Sequence, residues 1–405
     1  MLLLSGVFTS LVLLAGLIVY GVWEFRTHLD NLRHIPIRIH VNGTRGKSSV
    51  TRLIAAGLRR AKRTVAKTTG TTPRLILEDG TELPIHRASS PNIIEQLMVV
   101  REARTRAAEV LVVECMAVQP HLQWIAEERM IRSTLAVITN ARADHLDQMG
   151  PTVLNVANAL SNTIPSHSVV YTAESPLLPV IEANAEARDS RVVWCDPDSV
   201  SDSELARFPY LEHKENVALA LAVCNHFGVD RTTALEAMYR ANPDPGALRG
   251  YRIQFFDKEL TFYNAFAAND RDSTVMIYHR LGLSNGDRPV FLIVNNRGDR
   301  LQRAEQFGEL IATDLRARHT FLVGDFTKAT FDIALRHGLP PERITDLGHC
   351  TLDELFEAIL AQTNGPATVL GVGNIGGMGH EIVRFFKNRS TEWSKKPSAS
   401  VLSSV

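Results

Sequence analysis

Residues 41 to 49 read Val41-Asn42-Gly43-Thr44-Arg45-Gly46-Lys47-Ser48-Ser49, so a lysine and two hydroxyl side chains follow a glycine-rich stretch. That set suits a polyphosphate. Backbone N–H groups of a glycine-rich turn, together with a helix N-terminus, cradle an anion. Lys47 would pair with the β- and γ-phosphates of ATP, and Ser48 would offer its hydroxyl to Mg²⁺. The general phosphate-loop pattern wants a glycine five residues before Gly46, where this chain has Val41. A tight strand-to-helix turn without a ligand is the alternative reading.

Two further places could carry chemistry. Glu114 closes an apolar run, Val110 to Val113. A carboxylate at a strand end can reach a Mg²⁺ held on a triphosphate, since Mg²⁺ takes a few oxygen ligands plus phosphate and water. A simple capping role is the competing reading for Glu114. The second place is Thr139-Asn140-Ala141-Arg142-Ala143-Asp144-His145-Leu146-Asp147. Asp144 could cap a helix and leave His145 exposed, or the pair could serve a metal.

The elements around these residues follow from periodicity. A short alternating strand precedes the loop at residues 35 to 41, and Val50, Leu53, Ile54 and Leu58 then mark one face of a helix. A helix is predicted over residues 92 to 108, then strands at 110 to 113 and 135 to 139, each ending in a polar loop. Strands alternating with helices imply a parallel, doubly wound α/β sheet, with ligands at the carboxyl ends of the strands. An amphipathic helix is expected at about 212 to 227. Asn242-Pro243-Asp244-Pro245-Gly246 reads as a linker. Beyond it, strands at 251–256, 259–263, 289–294, 319–323 and 367–371 predict a smaller, Rossmann-like α/β domain.

The organisation expected is therefore a membrane helix (1–23), a polar tether (24–34), an ATP-binding domain (35–242), a C-terminal α/β domain (243–388) and a disordered tail (389–405). Residues 2 to 23 carry no charge, and about 20 apolar residues cross a bilayer core. Arg26, Arg33 and Arg38 follow it, which points to a single-pass cell-membrane protein with its catalytic body in the cytoplasm. A buried helix is the other reading. Net charge is zero over 405 residues, which gives no sign of a nucleic-acid partner. The four cysteines are widely spaced and suggest neither a zinc ribbon nor a disulfide framework.

The segment His40 to Ser49, followed by Thr68-Thr69-Gly70-Thr71-Thr72-Pro73-Arg74, resembles the Mur-ligase superfamily, and within it the poly-γ-glutamate synthase branch. The resemblance covers roughly residues 35 to 385. It implies ligation through an acyl phosphate, with ADP and phosphate released. Lys47, Glu114 and His145 would be catalytic; Ser48 and Glu114 would hold one metal ion and His145 a second. Asn42, Gly43, Thr44, Arg45, Gly46, Lys47, Ser48 and Ser49 would bind ATP, joined by Asn216, Arg249 and Asn269. Arg74, Ser90 and Arg142 would touch substrate. The superfamily's carbamylated lysine has no counterpart, because no lysine lies between Lys67 and Lys214.

Glutamate and its growing γ-linked polymer are the implied substrates, and membrane-protein subunits of a synthase or export complex the implied partners. A polyanionic chain would suit the basic run Arg59, Arg60, Lys62 and Arg63, which could equally be a solvated helix face. Two other functions fit parts of the pattern. One is a folylpolyglutamate-like ligase. The other is a nucleotide-dependent scaffold or energy module of an export complex, which would not need the His145 motif.

Overall fold

The computed structural model describes the chain apart from residues 1, 71–72, 88–90, 244–247, 267–269, 285, 287, 299–300, 391 and 394–405, with backbone alone at 2–7, 249 and 392–393. Two compact units result, one comprising 1–208 and 212–244, the other 209–211 and 245–405. The linker's 244–246 and most of the expected disordered tail lie outside the described residues.

The first unit is built on an eight-stranded sheet. Its strands are β1 (Ile37–Asn42), β2 (Thr64–Thr68), β3 (Arg74–Ile76), β4 (Glu82–Pro84), β5 (Val110–Glu114), β6 (Leu135–Ile138), β7 (Val169–Thr172) and β8 (Arg191–Trp194). Their order is β4-β3-β2-β5-β1-β6-β7-β8. All neighbours pair in parallel except the β2–β3–β4 hairpin at one edge. β5 and β6 are consecutive strands, yet β1 lies between them. Crossovers therefore leave on opposite sides of β1, and the loops after β1, β5 and β6 gather at one switch point. β5 and β6 are buried throughout, as their apolar runs demand when both faces of a parallel sheet are covered, and β1, which alternates Ile and Val with Arg38, His40 and Asn42, is buried from Ile39 onward.

The first helix runs unbroken over Leu2–Arg33. The polar tether expected at 24–34 is thus a correction: its residues continue the helix and dock. Leu32 is buried in the core beneath β2 and β5, and the His28 Nε2 lies 2.9 Å from the Met130 carbonyl. The preceding part is exposed, from Phe8 at 69% to Trp23 at 60%, and this is a helix long and apolar enough to cross a membrane.

The second unit carries a seven-stranded sheet: β9 (Arg249–Phe255), β10 (Lys258–Asn264), β11 (Val290–Asn296), β12 (His319–Gly324), β13 (Ile344–Gly348), β14 (Ala367–Gly373) and β15 (Glu392–Trp393). The order is β13-β12-β11-β14-β10-β9-β15, parallel from β13 to β10 and antiparallel at β9 and β15. Two apolar clusters pack on this unit, one including Leu292 and Phe307, the other Phe262, Phe291 and Phe386. The fold is the α/β arrangement expected.

Candidate active site

β1 delivers the chain to the loop, and the helix Lys47–Leu58 carries it away. Both glycines are obligatory. Gly43 has φ +134°, and a Cβ there would fall 2.9 Å from the Thr139 backbone nitrogen and well inside contact with its hydroxyl. Gly46 has φ +82°, and a Cβ would lie 2.5 Å from Asn216 Oδ1. Asn216 therefore comes against the loop, held by its Nδ2 donating to Glu212 Oε1 at 2.7 Å.

The loop is locked to the segment after β6. Thr44 N donates to the Asn140 carbonyl at 2.9 Å, Arg45 N to Asn140 Oδ1 at 3.0 Å, and the Thr139 hydroxyl to the Arg45 carbonyl at 2.6 Å. Arg142 N donates to the Thr44 hydroxyl at 2.8 Å, while the Arg142 side chain is exposed. With the amides of 44 and 45 engaged, the N–H groups at the start of the helix are the ones left facing out, since a first turn has no carbonyl of its own to bond. Lys47 folds back on the loop, donating to the Gly43 carbonyl at 2.6 Å and to that of Thr44 at 3.3 Å. Ser49 is half-buried in the first turn.

Glu114 stands beside this turn because β5 pairs with β1 in register Val41↔Glu114. Its Oε2 accepts from the Ser48 hydroxyl at 2.8 Å and from Thr69 N at 2.6 Å. A carboxylate and a hydroxyl sharing one point at the mouth of a phosphate loop form an all-oxygen donor pair. That chemistry fits Mg²⁺, which completes its shell with phosphate and water. Behind Glu114 sits a charged cluster that sequence reasoning missed. Lys67, fully buried, lies 2.8 Å from Glu95 and donates to the Thr69 hydroxyl at 2.6 Å. Arg87 forks onto the same Glu95 through Nε at 2.6 Å and Nη2 at 3.0 Å. Burial pushes the Lys67 ammonium below its ordinary value against the pull of Glu95 and Glu114. Burial works to raise Glu95, but Arg87 and Lys67 hold it below the usual carboxylate range. The one signal available was a lysine beside Val65 and Ala66 in a short, β-branched-rich strand. The Thr69 amide had none, being backbone.

His145 takes a left-handed conformation, φ 48°, at the start of a short helix, Leu146–Met149. Its Nε2 is 3.9 Å from Asp144, which in turn is 3.6 Å from Arg45. So the His145 motif is tied to the loop through Arg45. Among the described residues, no three His, Cys, Asp or Glu side chains form a metal cluster. Asn42, expected at the nucleotide, uses its amide in the core, donating to Gln123 Oε1 at 2.8 Å and to Thr163 at 3.2 Å. What it gives the site is its carbonyl, which accepts from Thr139 N at 2.9 Å. Arg74 opens β3 and is half-buried. Arg249 opens β9, its side chain outside the described residues, as are Ser90 and Asn269 altogether.

Residues 41–225 match the Mur ligase middle domain, and residues 250–389 match the poly-gamma-glutamate synthase CapB C-terminal domain. A capsule biosynthesis protein CapB of Bacillus anthracis is 39% identical over 373 residues, 91% of this chain and 80% of that protein. The chain belongs to the CapB branch of the Mur-ligase family. A second CapB, the PGA synthase of Bacillus subtilis, is 36% identical over 91% of this chain and 95% of its own length. Among solved structures, a bifunctional folylpolyglutamate synthase/dihydrofolate synthase of Yersinia pestis, complexed with AMPPNP and Mn, aligns with TM-score 0.67 at 14% identity. It covers 89% of this chain and 92% of that one, and shares the fold. This CapB-type chain is an ATP-dependent ligase of the peptide-synthase class.

Proposed function

We propose that this CapB-type ligase joins glutamate through its γ-carboxylate into poly-γ-glutamate, releasing ADP and phosphate. The observation that carries the reading is the 2.8 Å pairing of Ser48 with Glu114 at the mouth of the glycine loop, in a chain akin to PGA synthase CapB.

In this reading a γ-carboxylate oxygen attacks the terminal phosphorus of ATP and ADP leaves, giving an acyl phosphate. The amine of the next glutamate attacks the carbonyl carbon, loses a proton, and phosphate departs. The difficulty is charge, since a carboxylate must approach a triphosphate. Lys47 leaves the Gly43 and Thr44 carbonyls for the β- and γ-phosphate oxygens, while the N–H groups of residues 46 to 49 receive the phosphates. Gly43, Thr44 and Arg45 shape that cradle. Ser48 and Glu114 would hold Mg²⁺, which supplies further compensation of phosphate charge. Thr69 N holds the carboxylate in place through Oε2, the oxygen that also receives the Ser48 hydroxyl.

His145 would serve the acyl-transfer side of the site, positioned through Asp144 and Arg45; Arg74, Arg142 and Ser90 would meet the acidic substrate. Asn216, Arg249 and Asn269 would contact the nucleotide. The helix Leu2–Arg33 would anchor the ligase at the cell membrane beside partner subunits, with the catalytic units in the cytoplasm.

The test is product analysis on the full chain. Glutamate-dependent release of ADP and phosphate, abolished in Lys47→Ala, is expected. AMP as product, turnover indifferent to glutamate, or full activity in Lys47→Ala contradicts the reading.

A further inference from the structure

The basic run at the end of the helix Lys47–Leu58 has no part in the chemistry above. There the helix, the β3–β4 hairpin and the helix Arg231–Tyr239 border a half-open cavity of about 640 Å³, wholly within the first unit. Four arginines line it, among them Arg52, Arg59 and Arg60, along with four carboxylates, among them Asp79 and Glu82. Arg59 lies twelve residues beyond Lys47. At about 1.5 Å per residue the cavity then runs from roughly 8 Å along the helix beyond Lys47, at Arg52, to roughly 18 Å, at Arg59.

Arg52 is 3% exposed, and its pairing is one-sided. Nη1 serves Glu82 and, at 3.4 Å, the Asn242 carbonyl. Nε and Nη2 are buried with no hydrogen-bond partner among the described residues, and so is Nη1 of Arg59. Burial lowers the Arg59 pKa in spite of Glu82 and Asp79. Buried donors on charged groups are almost always satisfied, because leaving them bare is costly. The unpaired edge of Arg52, itself closed to solvent, is the one that takes a carboxylate two-pronged elsewhere in this protein. Arg87 grips Glu95 through Nε and Nη2, and Arg231 grips Glu204 the same way at 2.8 and 2.9 Å. A guanidinium fork of this kind is matched to a planar carboxylate.

We propose that this cavity is a second ligand site, separate from the phosphate loop, for an acidic amino acid or a short acidic γ-linked peptide. The arginines receive the carboxylates, and the lining acids receive an ammonium group. The choice of glutamate as ligand rests on the ligase reading; the carboxylate-binding fork does not.

Equilibrium dialysis of the full chain without nucleotide tests this, with labelled glutamate, γ-linked triglutamate and inorganic phosphate as separate probes. Wild type and Lys47→Ala should bind glutamate or the triglutamate alike, and whichever binds tighter identifies monomer or chain as the ligand. Arg59→Gln should weaken that binding about tenfold or more. Ala237→Phe, which fills the cavity and touches no arginine charge, should do the same. No saturable binding of either acidic probe overturns the proposal, as does binding of phosphate alone. So does binding lost in Lys47→Ala and retained in Arg59→Gln and Ala237→Phe. Glutamate-dependent ADP release, followed in the same preparations, reports on the ligase reading separately.

Discussion

Replacing Gly46 by alanine tests whether the loop is shaped as described. At φ +82° an L-residue pays about 1–2 kcal/mol for the left-handed backbone. The new Cβ would also lie 2.5 Å from Asn216 Oδ1, so that side chain must swing away. Doing so breaks its 2.7 Å bond to Glu212, worth about 1 kcal/mol or somewhat more with a carboxylate acceptor. Together these come to about 2–3 kcal/mol, or roughly a 30- to 150-fold loss in the nucleotide-competent loop. Titration of a fluorescent ATP analogue, alongside urea unfolding, reads both places where that free energy can appear. The double variant Gly46→Ala, Asn216→Ala, compared with Asn216→Ala alone, isolates the backbone cost, since both lack the collision and the bond to Glu212. Unchanged nucleotide affinity and unchanged stability in Gly46→Ala would refute the close approach of Asn216 to the loop.

Other consequences follow from the same geometry. Glu114→Gln keeps the shape but removes the charge that receives the Ser48 hydroxyl and the Thr69 amide. The magnesium concentration for half-maximal ATP turnover should rise about tenfold or more, with about 1–2 kcal/mol lost from stability in denaturant titration. His40, fully buried, has its Nδ1 2.8 Å from Glu127 Oε2. Burial alone would lower its pKa, but Cys115 and Glu127 outweigh it and raise the value to about 9. A raised folded value adds stability that is complete below the unfolded value near 6.5 and lost as pH climbs through about 9. Up to about 3 kcal/mol should therefore disappear between pH 6.5 and 9.5 in urea unfolding, and His40→Gln should flatten that slope.

Much of this arrangement was legible in the sequence, for reasons that particular residues show. β5 and β6 are apolar runs that stop at a polar residue, and β1 alternates apolar and polar residues up to Asn42, so Lys47, Glu114 and the segment after Ile138 all had to emerge at the same sheet edge. The second unit's long strands stood out for the same reason, expected at 319–323 and found at His319–Gly324. β3, β4 and β13 are too short or too polar to carry a period. Lys67 could not be told from a surface lysine until β2 was seen buried on both faces. The docking of the first helix beyond Trp23 rests on Leu32 and His28, an apolar and a polar side chain in a polar stretch, and only tertiary packing distinguishes them. Asn42 looked like a ligand because of its place in the motif; Gln123 and Thr163, more than 80 residues away in the chain, claim its amide instead.

The central claim is that a glutamate γ-carboxylate is activated as an acyl phosphate at the loop of residues 41 to 49. Glutamate labelled with oxygen-18 in that carboxylate tests it most directly. With ATP and the full chain, mass spectrometry of the released phosphate should show the label transferred in step with γ-linked product. Product formed with phosphate free of the label, or label appearing in AMP, would contradict the account.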